Sequence, residues 1–215
     1  MKIVGASAIT SKDLVDFNVP PAWRKATRNM ILSTLSQERA MHGLNLETHT
    51  IEQMGLVLGS NSGELDTSAD FLLTFFKTKM ARPLLFQNSL HNATTGFSAI
   101  HWQIKGPSIS VSCGQKTSME SLLTAKALID SGQCELCIMT LVEVHQRLAQ
   151  MIDVEVNEGA VSLVIGSEQA VTRLSLPVVD DLSSRWLGEV PVVDLGPLFD
   201  VTKSAVFKLA QEFGG

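Results

Sequence analysis

Residues 106–132 read GPSISVSCGQKTSMESLLTAKALIDSG, and the fold turns on how this stretch is read. Ile109, Val111 and Cys113 alternate with serines, the two-residue period of a strand. Gly114 permits a tight turn. Thr117-Ser118-Met119-Glu120 then has the T-x-x-E form of a capping box, whose side chains satisfy the free N–H groups at a helix start. Leu122, Leu123, Ala127 and Leu128 follow at helical spacing, and Ser131-Gly132 ends the run. Strand, elbow and helix form the layout in which enzymes present a nucleophile. Here the tip of the elbow is Gln115, and an amide cannot attack.

Outward from the elbow, strand and helix patterns alternate. KIVGASAIT (2–10) reads as an opening strand and, after Pro20-Pro21, residues 23–42 carry apolar side chains at helical spacing. MGLVLGS (54–60) suits a strand buried on both faces. Thr67-Ser68-Ala69-Asp70 resembles a helix start before FLLTFF, and Pro83 ends that helix. Phe71, Phe75 and Phe76 then read as a core stripe. Residues 88–104 place Leu90, Ala93, Phe97, Ile100 and Ile104 on one face of a single helix. CIMTLVEV (137–144) and GAVSLVIG (159–166) are the last strands. The expected class is α/β, a mostly parallel sheet flanked by helices, with an antiparallel pair where those two strands follow one another. Residues 172–196 are rich in Pro, Asp, Ser and Gly and read as a connector to an amphipathic helix at 197–213. The expected division is an α/β domain over 1–170, with 171–215 as connector and helix packed on it.

The composition narrows the function classes. A net charge of -5 over 215 residues, without a Lys/Arg stripe, argues against nucleic-acid binding. No apolar run is long enough to cross a bilayer, no basic cluster suits an anionic membrane surface, and MKIVGASAIT lacks the parts of a secretory signal. Three cysteines are an odd set for a disulfide framework and suit a reducing compartment, so the expected location is the cytoplasm. Cys134 and Cys137 have redox spacing but open a strand, not a helix, and read as two small core residues. GSNSGE lacks the lysine of a phosphate loop, and Asp180-Asp181 has no companion ligand and reads as a solvated loop. No cofactor or metal is expected.

The order of motifs (GLVLGSNSGE, FQNSLHNATTG, GPSISVSCGQKTS and NEGAVSLVIGSEQA) resembles the N-terminal half of the β-ketoacyl synthases, members of the thiolase-fold family. The likeness covers about residues 1–168 and implies a three-layer thiolase-like half. In working synthases Gly-Pro leads a strand into an elbow tipped by the acyl-accepting cysteine. That cysteine would fall on position 115. Gln at this place occurs in chain-length-factor partners of synthase heterodimers and in decarboxylating loading synthases. The family's two catalytic histidines belong to its C-terminal half, where this chain would need a second α/β copy. His42, His49, His91, His101 and His145 match neither of those motifs. Half-length relatives of this type resemble the short synthase-like proteins of aryl-polyene assembly lines.

The resemblance therefore implies a non-catalytic, chain-length-factor-type subunit. Its implied partner is a full-length ketosynthase in a heterodimer, or else a second copy, with acyl carrier protein met indirectly. The alternatives are a decarboxylase or acyltransferase completed by a partner's residues, and a homodimeric scaffold. The implied pocket or interface residues are Asn88, His91, Asn92, Phe97, Ser108, Ser110, Ser112 and Gln115. In the family the GPSISVS strand lies at the dimer edge and pairs with its counterpart, and HNATTG packs near the interface and the acyl channel. Gln115, in a tight buried turn, should find hydrogen-bond partners. Cys113, two positions short of the tip, reads as a small buried residue. Hydrogen bonding at a helix start is the expected work of His91 and Asn92.

Overall fold

A computed structural model of the chain describes residues 1–15, 17–144 and 158–179. The expected helix at 197–213, His145 and the Asp180-Asp181 pair lie outside them. Five strands, β1 (Lys2–Thr10), β2 (Gly55–Gly59), β3 (Ser108–Val111), β4 (Leu136–Glu143) and β5 (Gly159–Gly166), form one sheet in the order β1-β5-β4-β2-β3. β2 pairs parallel with both β3 and β4, while β5 runs antiparallel between β4 and β1. Four strands thus point one way, and β4–β5 is the antiparallel pair expected of the last two strands. The helices are α1 (Arg28–Met41), α2 (Thr48–Glu52), α3 (Leu65–Thr78), α4 (Pro83–Asn88), α5 (Ala93–Trp102), α6 (Thr117–Asp130) and α7 (Glu168–Arg173).

β2, β4 and β5 are buried along their whole length, so their apolar residues serve both faces of the sheet. Alternation divides them. Val57, Met139, Leu141, Leu163 and Ile165 meet Leu122, Ala125, Leu128 and Ile129 of α6 on one side. Leu56, Ile138 and Val164 pack with Ala40 of α1 and with Ile104 on the other, beside a second cluster of Trp23, Leu32, Leu35, Leu58 and Val142. Helix, sheet and helix make the three layers.

The α1 side is held by hydroxyls and amides as well as by apolar contact. Ser7 Oγ donates to the Ser36 carbonyl at 2.6 Å, Gln37 Nε2 donates to Thr140 Oγ1 at 3.1 Å, and Trp102 Nε1 donates to Gln37 Oε1 at 2.9 Å. Small polar side chains let α1 lie close to the strands, and Ser36 and Gln37 meet their partners across that contact.

Five local expectations are corrected. Residues 88–104 are not one helix: α4 ends at Asn88 and α5 begins at Ala93. The buried face of α5 is Thr94, Thr95 and Ser98, whereas Leu90 is exposed and Ile100 is 82% exposed. The expected core stripe on α3 is also absent, because that helix buries no residue and Phe76 is 63% exposed. α3 starts at Leu65, ahead of Thr67. Finally, Thr117 does not cap α6. It is the first residue of the helix, and its hydroxyl serves the elbow behind it.

Candidate functional site

The elbow and the loop after β2 meet beyond the C-terminal ends of the parallel strands, where open α/β sheets form their sites. The Ser60 N–H donates to the Val111 carbonyl at 3.0 Å, and Ser112 Oγ donates to the Asn61 carbonyl at 3.4 Å. Thr117 Oγ1 accepts from the Cys113 N–H at 2.8 Å and donates to Asn61 Oδ1. Between strand and helix, Gly114 takes φ +59°, a left-handed conformation that glycine adopts without steric cost. The chain then passes through a single 3-10 turn, Gly114–Lys116, directly into α6. The strand–elbow–helix layout read from the sequence is present.

Gln115 lies in that turn and is exposed, so the expectation of a buried elbow side chain is corrected. Its backbone is fixed by the ties of Cys113 and Thr117 to the neighbouring loop. Cys113 is likewise exposed. β3 ends at Val111, which places Cys113 past the strand and not inside it.

Two buried carboxylates organise the loop, and little in the local sequence marks them. Glu143, fully buried at the end of β4, accepts from Ser60 Oγ at 3.1 Å, from the Ser62 N–H at 3.3 Å, and from the Asn61 N–H and Ser62 Oγ. A Ser-Asn-Ser-Gly turn rich in donors resembles an anion cradle. Here the protein's own carboxylate fills it. Glu64 accepts from Thr27 Oγ1 at 2.7 Å, Thr94 Oγ1 at 2.5 Å and Thr67 Oγ1 at 2.9 Å, joining α1, α3 and α5. Burial pushes the Glu64 carboxyl above its ordinary range, and the three threonine hydroxyls only partly offset this. The one advance sign of Glu143 was a charge at the end of an otherwise apolar strand.

The remaining sequence candidates fall into two groups. Ser110 and Ser112 join the site: Ser110 Oγ lies 2.6 Å from Thr95 Oγ1, and Ser112 reaches Asn61. His91 lies over Gly63, where a Cβ would meet its Cδ2 at 2.7 Å. Asn88 donates to the Lys25 carbonyl at 3.0 Å, away from the elbow. Asn92 occupies the N-cap position of α5 but makes no capping bond, contrary to the helix-start role expected of it. Phe97 stacks edge-on against Trp23. Ser108 is exposed at the start of β3. Among the described residues no three His, Cys, Asp or Glu side chains gather as a metal ion requires, and no helix is long and apolar enough to cross a membrane.

Among the described residues β3 is the last strand of the sheet and pairs with β2 alone, which leaves its other edge uncovered by them. The two helices that pack on β3 expose apolar side chains, Ile100 from α5 and Met119 and Leu123 from α6. A free edge with apolar neighbours is a pairing template.

The model of the β-ketoacyl synthase N-terminal domain matches residues 23–182. The chain belongs to the β-ketoacyl synthase family. Solved ketosynthases share its fold. The ishigamide ketosynthase/chain length factor superposes with a TM-score of 0.67 at 17% identity over 79% of this chain and 62% of that one. A ketosynthase in complex with its chain length factor from Xenorhabdus doucetiae gives 0.58 at 19% identity, over 70% and 62%. A β-ketoacyl synthase from Burkholderia phymatum gives 0.63 at 16% identity, over 81% and 55%. The chain therefore covers about three-fifths of the length of these ketosynthase-family structures. No curated protein gives a significant sequence match.

Proposed function

We propose that the chain is a chain-length-factor-type subunit, working in the cytoplasm beside an active ketosynthase and shaping the path of an acyl chain delivered on acyl carrier protein. The observation that carries this reading is Gln115 on an intact elbow. The backbone device that displays an acyl-accepting thiol is kept, with its Gly114 turn and its tie to Asn61, but the side chain displayed cannot form a thioester. Cys113 does not replace it, because it precedes the left-handed Gly114 and so lies two positions short of the tip. The edge of β3 that the described residues leave uncovered supplies a place for a partner strand, and two of the solved structures that share this fold are a ketosynthase/chain length factor and a ketosynthase in complex with its chain length factor.

Co-expression of the tagged chain with a full-length ketosynthase from the same assembly line tests the proposal. A one-to-one complex, and a product length that shifts when bulk is altered on α5, are the expected results. Failure to associate, with product length unchanged, rejects it. Carbon dioxide release by the chain alone from malonyl-loaded carrier protein would favour the decarboxylase reading instead.

A further inference from the structure

Far from the elbow, at the opposite end of the sheet, Cys134 and Cys137 converge on β2. A side chain at Gly55 would bring its Cβ to 2.7 Å from Cys134 Sγ and 3.3 Å from Cys137 Sγ. Both sulfurs thus crowd one point, and the missing side chain leaves each open to the other. Both cysteines are free and their surroundings are unequal. Cys137 is fully buried on β4 and its thiol faces the Ile138 carbonyl at 3.8 Å. Cys134 precedes β4 and, though only 6% exposed, lines a groove of about 600 Å³, a volume suited to a small molecule. The groove carries charges of both signs as two exposed ion pairs at its rim, Lys105 with Glu52 at 2.7 Å and Arg173 with Glu135.

We propose that Cys134 and Cys137 form a reversible dithiol–disulfide pair that exchanges with small zwitterionic disulfides of the glutathione type entering this groove. The exchange balances without a further reagent. Cys134, as thiolate, attacks one sulfur of the small disulfide, forms a mixed disulfide and releases one small thiolate, which takes up the proton Cys134 lost. Cys137 then gives up its proton and attacks Cys134 Sγ. The internal disulfide forms and a second small thiol departs. The protein is oxidised by two electrons and the small disulfide is reduced to two thiols. The order of attack follows from the surroundings. Contact with Cys137 holds the Cys134 thiol below its ordinary range, while contact with Cys134 and burial push Cys137 well up. Cys134 is also the one that reaches the groove. Two thiols with no third ligand among the described residues do not make a metal site.

The experiment uses the full chain carrying Cys113→Ser, which removes the exposed third thiol. Incubation in glutathione buffers of increasing oxidation, followed by alkylation and mass analysis, should show both remaining thiols lost together, with no retained adduct. Cys137→Ser in the same background should trap one glutathione on Cys134, and Cys134→Ser should stay unmodified while folded. Phenylarsine oxide, which bridges neighbouring thiols, gives a second reading and should bind once per chain and protect both cysteines. Persistent free thiols in the oxidised buffer, or a stable adduct on the chain that retains both cysteines, would overturn the proposal, as would failure to bind the arsenical. None of these results depends on whether the chain pairs with a synthase.

Discussion

Glu143→Gln isolates the carboxylate that fills the loop after β2. The substitution keeps shape and volume and exchanges one oxygen for an NH2 group. With the amide oxygen kept toward Asn61 and Ser60, the nitrogen falls where Glu143 Oε2 accepts from the Ser62 N–H and Ser62 Oγ. The hydroxyl can rotate to accept, but the backbone N–H cannot. One charge-assisted bond becomes a donor facing a donor in a fully buried place, a loss of about 2–3 kcal/mol. For a chain of this size that corresponds to a melting temperature about 5–10 °C lower. Glu143→Ala, which strips every acceptor from the loop, should cost more, about 4 kcal/mol. Urea unfolding followed by far-UV circular dichroism measures both. Because Asn61 ties this loop to Thr117, each variant should also weaken association with the ketosynthase. A Glu143→Gln chain within about 0.5 kcal/mol of wild type would refute the role assigned to this carboxylate.

Three further outcomes are expected. The folded carboxyl of Glu64 titrates above its unfolded value of 4.5, so its contribution to stability is fully present below that pH and is lost as pH rises through the folded value. Glu64→Gln should flatten the decline in unfolding midpoint over this window, and an unchanged slope would contradict the assignment. Ile100→Glu, at an 82% exposed position, should leave the melting temperature nearly unchanged yet weaken partner binding at least about tenfold in sedimentation or light scattering. Gln115→Ala should alter stability by less than about 0.5 kcal/mol, since the side chain is exposed; a larger loss would mean that the amide is held by the chain itself.

The strands and the elbow were legible in the sequence because each is a local pattern. β2 is an unbroken apolar run, and the step from β3 to α6 is a change of period across Gly114, whose positive φ the turn requires. Helix faces were less legible. On α5 an apolar stripe suggested the core, yet the sheet side is taken by Thr94, Thr95 and Ser98 because Glu64 and Ser110 answer two of their hydroxyls from afar. Apolar residues without such partners, Ile100 and Phe76 among them, are left outside, where the pattern alone cannot distinguish a core from an interface. The role of Glu143 was hidden for a related reason. Its partners lie 81 to 83 residues away, and only the parallel pairing of β2 with β4 brings them together. A separation of 56 residues likewise hid the true role of Thr117, which looked like a local cap and instead anchors the elbow to Asn61.

Native mass spectrometry of the chain co-expressed with a full-length ketosynthase from the same assembly line, after brief exposure to acyl-loaded carrier protein, reads both stoichiometry and the site of acylation. The expected result is a one-to-one complex with the acyl group on the synthase subunit alone. An acyl group on this chain, or full activity of a synthase that never binds it, would contradict the account.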